Sequence, residues 1–396
     1  MFLEPLRRRN PGFLEAVISL HQSGELPANA YVLDLDAVRT NGEAMRAEGK
    51  RLGLEVFAMT KQVGRAPAFV RALVDAGITQ GVAVDMMDAR ALGRSGMSLG
   101  HVGHLVQVPH AEAGAAAALA PANWTVFSDD KAAEAAQASR AIGREQNLLA
   151  RIHAPGDMFY EGHEGGFEAE DIVAAAARLD RIDGARFAGI TTFPALLFDP
   201  ASGEVRPTRN LATLERAASR LRDAGIRELR VNAPGTTSCA VFALLADHGA
   251  TQVEPGHGLT GTTPLHALRD LVETPAVCYL TEVSHLHAGR AFAFGGGFYI
   301  DPVFPEYRLR ALLADAPGLD ATRLVDATIP PPSAIDYYGQ LDYDGRAPRT
   351  GATVVFGFRM QAFVTRASVA GIGGVSAGSP RVAGIWTADG EASQWP

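Results

Sequence analysis

Cysteine is scarce in this chain of 396 residues: Cys239 and Cys278 are the only two. They stand apart, without C-x-x-C or finger-like spacing, which argues against a structural zinc and against a disulfide scaffold. A chain of this length buries a full core without either staple. The expected setting is therefore reducing and cytoplasmic, with no metal called for. An excess of positive charge is also missing. With 44 acidic against 36 basic residues, the formal net charge is −8. That balance disfavours nucleic acid or an anionic membrane as a general partner. Arg7-Arg8-Arg9 is followed by Pro11 and Glu15, which interrupt the apolar stretch that a signal peptide needs. No uninterrupted apolar run approaches the ~18–20 residues of a membrane-spanning helix. No P-loop is spelled, and Gly295-Gly296-Gly297 does not lead into a helical pattern.

What is present is alternation. From about Val56 to Glu254, short β-type runs alternate with Ala-rich helical patterns. The expected strands are Val56–Met59, Gly81–Val84, His104–Val108, Thr125–Phe127, Leu148–His153, Phe187–Phe193, Leu229–Asn232 and Thr251–Glu254. Helical runs such as Ala66–Ala76, Lys131–Ile142, Glu170–Leu179 and Leu211–Ala224 lie between them. Eight strands, each followed by a helix, predict an α/β fold of the (β/α)8 TIM-barrel type, with a doubly wound open sheet as the alternative. After Gly261, Val, Phe and Tyr runs broken by Gly and Pro predict a mostly β second domain. The early strand Tyr31–Leu35 is expected to join it. The expected domains are residues 1–40, a segment joining the β domain; 41–262, the barrel; and 263–396, the β domain.

Several motif spellings carry little. Gly374-Val-Ser376-Ala-Gly378 has nucleophile-elbow spacing, but Pro380 and a β-type run follow where that motif needs a helix. The pairs His101/His104 and His285/His287 are metal-ligand types, yet neither has an evident third ligand in sequence.

Three strand ends carry more. Lys61 follows Val56–Met59, where a barrel strand meets the active-site mouth. A lysine there is either a surface charge or an amine available for a Schiff base. After Leu229–Val231 comes Asn232-Ala-Pro-Gly235-Thr236-Thr237-Ser238 and then an apolar helix. Small residues and hydroxyls at a helix start suit a phosphate, or Ser238 simply caps the helix. At the eighth strand end stands Glu254-Pro255-Gly256-His257, a carboxylate before a Gly-rich turn.

With these residues the sequence resembles the fold-type III pyridoxal-phosphate enzymes, the alanine racemase and ornithine decarboxylase group. Tyr31-Val-Leu-Asp-Leu-Asp-Ala-Val is similar to that group's opening strand, and Ala58-Met-Thr-Lys61 to its cofactor-lysine strand. Gly357-Phe-Arg359-Met-Gln361-Ala-Phe-Val-Thr-Arg366 resembles the YhfX-type branch of alanine-racemase-like proteins. The resemblance implies pyridoxal 5′-phosphate held by Lys61, a homodimer with shared active sites, and a small amino-acid substrate. It further implies that Asn232, Gly235, Thr236, Thr237, Ser238, Gly256 and His257 lie near the phosphate. Thr192 would flank the cofactor ring, and Glu254 would face the pyridine nitrogen. Glu254 matches the decarboxylase spelling E-P-G rather than the racemase R-P-G. A glutamate there keeps the nitrogen protonated and makes the ring a strong electron sink.

Other positions depart from the family. Phe294 stands where racemases place a catalytic tyrosine, Glu164 near where an arginine is expected, and the decarboxylase H-V-G-S loop is replaced around Ile152–Gly156. Tyr337 and Tyr338 are then the candidates for a second acid/base. The expected activity is amino-acid racemisation or epimerisation. Decarboxylation or threonine-type aldol cleavage is the alternative within enzymes, and non-catalytic cofactor binding the alternative outside them.

Overall fold

The computed structural model describes residues 1–299, 301–304 and 306–395, and its chain packs into two units. One comprises residues 43–60 and 73–256; the other comprises residues 1–42, 61–72 and 257–396. Packing thus groups residues 41–42, 61–72 and 257–262 with the unit holding the C-terminal part.

The first unit is the barrel. Its strands in chain order are Glu55–Val56 with Ala58–Met59, Gln80–Ala83, Ser98–Val102, Asn123–Val126, Gln146–His153, Ala185–Thr191, Arg230–Asn232 and Gln252–Val253. All neighbours pair in parallel. The sheet comes round on itself through the first strand, which is broken at Phe57. Its first half pairs with the eighth strand (Val253 opposite Val56) and its second half with the second strand (Ala58 opposite Gly81). A helix follows each of the first seven strands before the next begins. The alanine-rich composition has a packing reason, visible in Asp129–Ala141. Ala132, Ala135, Ala136 and Ser139 recur at i, i+3, i+4 and i+7 and are all buried, so small side chains let this helix lie close to its neighbours. Ser128 starts the helix by accepting a hydrogen bond from the Lys131 amide.

One strand corrects the sequence reading. The third was expected at His104–Val108 but lies at Ser98–Val102. Leu105-Val106-Gln107-Val108 has the better β composition, yet it is a loop in which Val106 is exposed. Ser-Leu-Gly-His-Val carries a glycine and a histidine, a weak strand signal by propensity alone. Burial decides instead, since four of its five residues are buried.

The second unit is built on a nine-stranded, mostly antiparallel sheet. Ala30–Asp34 is one of its central strands, antiparallel to Val277–His287 and parallel to Ser368–Gly373. The helix Pro11–Gln22 buries Phe13, Leu14, Val17 and Ile18, a 3–4 spacing on one face. They pack in a core with Val32, Leu280, Val355 and Ile372 from the sheet. Among the described residues no helix is long and apolar enough to cross a membrane.

Candidate functional site

The barrel gathers polar groups at the C-terminal ends of its strands, and Glu254, just after the eighth strand, is their centre. The side chain is fully buried. Its Oε1 accepts two hydrogen bonds, from His101 Nδ1 at 2.5 Å and from Asn232 Nδ2 at 3.0 Å. Asn232 Oδ1 accepts in turn from Thr191 Oγ1 at 2.7 Å. His101 Nε2 lies 2.5 Å from Thr125 Oγ1. The result is a chain of side chains, Thr191–Asn232–Glu254–His101–Thr125, drawn from the ends of five strands. Glu254 Oε2 accepts no hydrogen bond among the described residues, and His104 Nε2 stands 3.6 Å from it. Burial alone would raise the Glu254 pKa. The facing imidazoles of His104 and His101 and the hydrogen bonds from His101 and Asn232 outweigh it, and the carboxyl is held below its ordinary value. Glu254 is therefore an ionised, buried carboxylate with one oxygen saturated and the other open.

His101 and His104 were not singled out from sequence except as a pair lacking a third ligand. The structure supplies that ligand: His101, His104 and Glu254 offer atoms within 4.8 Å of one another, a set able to hold a metal ion.

Arg151, in the fifth strand, was missed altogether. It is among the largest fully buried side chains. Nη2 donates to the His163 carbonyl at 2.9 Å and Nη1 more weakly to that of His104 at 3.5 Å. Nε makes no hydrogen bond among the described residues. The guanidinium lies over the Phe127 ring, 4.9 Å from its centroid. Burial pulls its pKa down to about 10, opposed by the charge of Glu164. Among the described residues no carboxylate is hydrogen-bonded to this buried cation, a costly state for a charge taken out of water.

The loop expected to hold phosphate has a mixed role. The side chain of Asn232 is committed to Glu254 and Thr191. At Gly235 a Cβ would come within 2.6 Å of the Leu196 carbonyl oxygen, and Thr236 donates its amide to that same oxygen. Glycine is thus required there by the hairpin Leu196–Asp199/Glu204–Pro207. Thr237 and Ser238 are buried immediately before the helix Cys239–Asp247, and Ser238 makes no side-chain cap bond. Thr192 is buried just beyond the sixth strand, and Gly256 ends this unit.

In the other unit, Lys61 opens a short turn of 3-10 helix, two residues along the chain from Met59 at the end of the first strand. Its Nζ lies 5.2 Å from the centroid of the Phe363 ring, which Arg65 also faces at 5.9 Å. His257 Nε2 donates to the Met360 carbonyl at 2.9 Å. Desolvation and the charges of Arg359 and Lys61 push the His257 pKa down to about 3, so the ring is neutral with Nδ1 as its acceptor. Arg359 is clamped bidentately by the buried Asp301 at 2.5 and 2.7 Å. Tyr337 and Tyr338 have different surroundings. Tyr337 is 63% exposed beneath the Arg366 guanidinium. Tyr338 packs edge-on to His285 and against Phe294, opposite which it sits in the sheet.

Residues 33–264 match the family described as alanine racemase, N-terminal domain, and residues 278–382 match the YhfX-like C-terminal domain. The chain is 37% identical over 384 residues to the uncharacterized protein YhfX of Escherichia coli (strain K12), with 97% of each covered. Among solved structures it is similar to D-threonine aldolase from Filomicrobium marinum (TM-score 0.67, 19% identity, 92% of this chain and 96% of that one). It is also similar to alanine racemase from Clostridium difficile 630 in complex with cycloserine (TM-score 0.63, 14% identity, 92% and 99%). A third is D-threo-3-hydroxyaspartate dehydratase from Delftia sp. HT23 (TM-score 0.64, 18% identity, 91% and 97%). At these identities the likeness is one of fold.

Proposed function

Because the chain belongs to the alanine racemase N-terminal domain family and carries a YhfX-like C-terminal domain, we propose that it is an amino-acid racemase or epimerase acting by Cα deprotonation. The cofactor is pyridoxal 5′-phosphate, on which the family depends. When bound, this group supplies an electron sink for the charge that develops at the substrate Cα. The barrel fits it, because the open, buried Oε2 of an ionised Glu254 is the acceptor that a protonated ring nitrogen needs. This single observation carries the fit to the cofactor, and the YhfX-like C-terminal domain supports racemisation as the outcome.

The remaining roles follow from each residue's chemistry. Lys61 would hold the cofactor through its ε-amine and would move the proton at the substrate Cα. Gly235, Thr236, Thr237 and Ser238, at the head of a helix, receive the phosphate together with Gly256 and His257. Thr192 flanks the ring. Arg151 directs its spare N–H donors at an anionic oxygen of cofactor or substrate. Tyr337 or Tyr338 serves as the second acid/base, and the working form is a homodimer. Purified protein supplied with the cofactor should show the visible absorbance of a lysine-bound aldehyde, and Lys61→Ala should lose it. Unchanged absorbance in that variant contradicts the assignment.

Glu254 also favours a second reading, since a strong electron sink serves decarboxylation and aldol cleavage equally well. Release of carbon dioxide or of an aldehyde from an amino acid distinguishes these from racemisation.

A further inference from the structure

Glu254 is a poor choice of residue for its position unless something keeps it charged. A lone carboxylate taken out of water protonates rather than staying ionised, and a protonated Glu254 could not accept from a cationic ring nitrogen. The side chains around it solve this in a specific way. Its two ordinary hydrogen bonds, from His101 and Asn232, fall on the same oxygen, Oε1. An ionised carboxylate only accepts, so His101 must carry its proton on Nδ1. The other ring nitrogen, Nε2, is held at 2.5 Å by the hydroxyl of Thr125, which is itself fully buried. Thr125 therefore fixes the imidazole in the orientation that points N–H at Glu254. His101 and Asn232 in turn fix the carboxylate so that Oε2 is the oxygen left open.

We infer that Thr125 and His101 are positioning residues that hold Glu254 ionised and oriented, and so keep the proton on the cofactor's ring nitrogen. This rests on the reading of Glu254 as that nitrogen's partner. His101 and Thr125 are assigned no contact with substrate: they act through Glu254.

The test reads the nitrogen itself. Holoprotein is prepared with pyridoxal 5′-phosphate labelled with 15N at the ring nitrogen, and its 15N resonance is compared across variants at one neutral pH. Wild type should give the protonated position and Glu254→Gln the unprotonated one. His101→Leu should move the resonance toward the unprotonated position. Thr125→Val, which deletes only a hydroxyl and keeps the side-chain shape, should move it the same way. It gives the answer even where His101→Leu fails to fold. His101→Gln, which can donate to Glu254 and accept from Thr125, should restore the wild-type position, a rescue that a packing role does not explain. If Glu254→Gln moves the resonance while His101→Leu and Thr125→Val leave it in place, the inference is overturned and the role of Glu254 stands. If Glu254→Gln also leaves it in place, the reading of Glu254 fails and the inference falls with it.

Discussion

Two buried ions in this barrel are handled in opposite ways. Glu254 is surrounded by donors and imidazoles that hold it charged. Arg151 has two carbonyls and an aromatic face; among the described residues no carboxylate is hydrogen-bonded to it and its Nε has no hydrogen-bond partner. Burying a cation in that state costs stability, and such costs persist where function requires them. Arg151→Met keeps most of the apolar stem and removes the charge. It should leave the thermal midpoint unchanged or raise it, by an amount equivalent to about 1 kcal/mol, while reducing Cα-proton exchange at least tenfold. A large fall in the midpoint would show that Arg151 is structural. Lys61 and Glu254 were singled out in sequence as candidates because each stands at a strand end beside a recognisable turn. Arg151 was not, because one arginine inside an apolar strand gives no periodic signal of where its head group goes.

At the scale of elements, the barrel was legible because burial on both faces makes its strands apolar runs and its helices amphipathic. The third strand was not, and the cost of that error was local. Moving it from His104–Val108 to Ser98–Val102 turns His101 from a loop residue into a buried strand residue, which is how it reaches Glu254. No one-dimensional pattern could show that His101 and Glu254, 153 residues apart, share a hydrogen bond. The helix Pro11–Gln22 was likewise read only as an N-terminal segment. Its burial of Phe13 makes it part of the core, and Phe13→Ala should lower unfolding stability by about 3–5 kcal/mol. A loss below about 1 kcal/mol in urea titration would mean that the helix only decorates the sheet.

At the scale of the whole molecule, acid sensitivity should come in part from a histidine far from the chemistry along the chain. His21 is buried, and desolvation followed by the charge of Arg349 pushes its pKa down to about 4. In the unfolded chain it titrates near ~6.5. Between those values the unfolded chain binds a proton that the native protein does not, so stability falls as pH drops through this window. From pH 7 to 5 this one group should remove about 2 kcal/mol. His21→Gln, which keeps a hydrogen-bonding partner for Thr353 Oγ1, should flatten that part of the profile, and an unchanged slope would exclude the assignment. For the proposed homodimer, sedimentation should give a particle of two chains, and a particle of one chain would contradict it.

The central claim is that the protein removes and returns a proton at the Cα of an amino acid. Holoprotein incubated in deuterated water with a panel of amino acids should incorporate deuterium at Cα of at least one of them, with loss of optical purity and no release of carbon dioxide or aldehyde. The absence of exchange with every amino acid tested, in a protein that retains its bound cofactor, would contradict it.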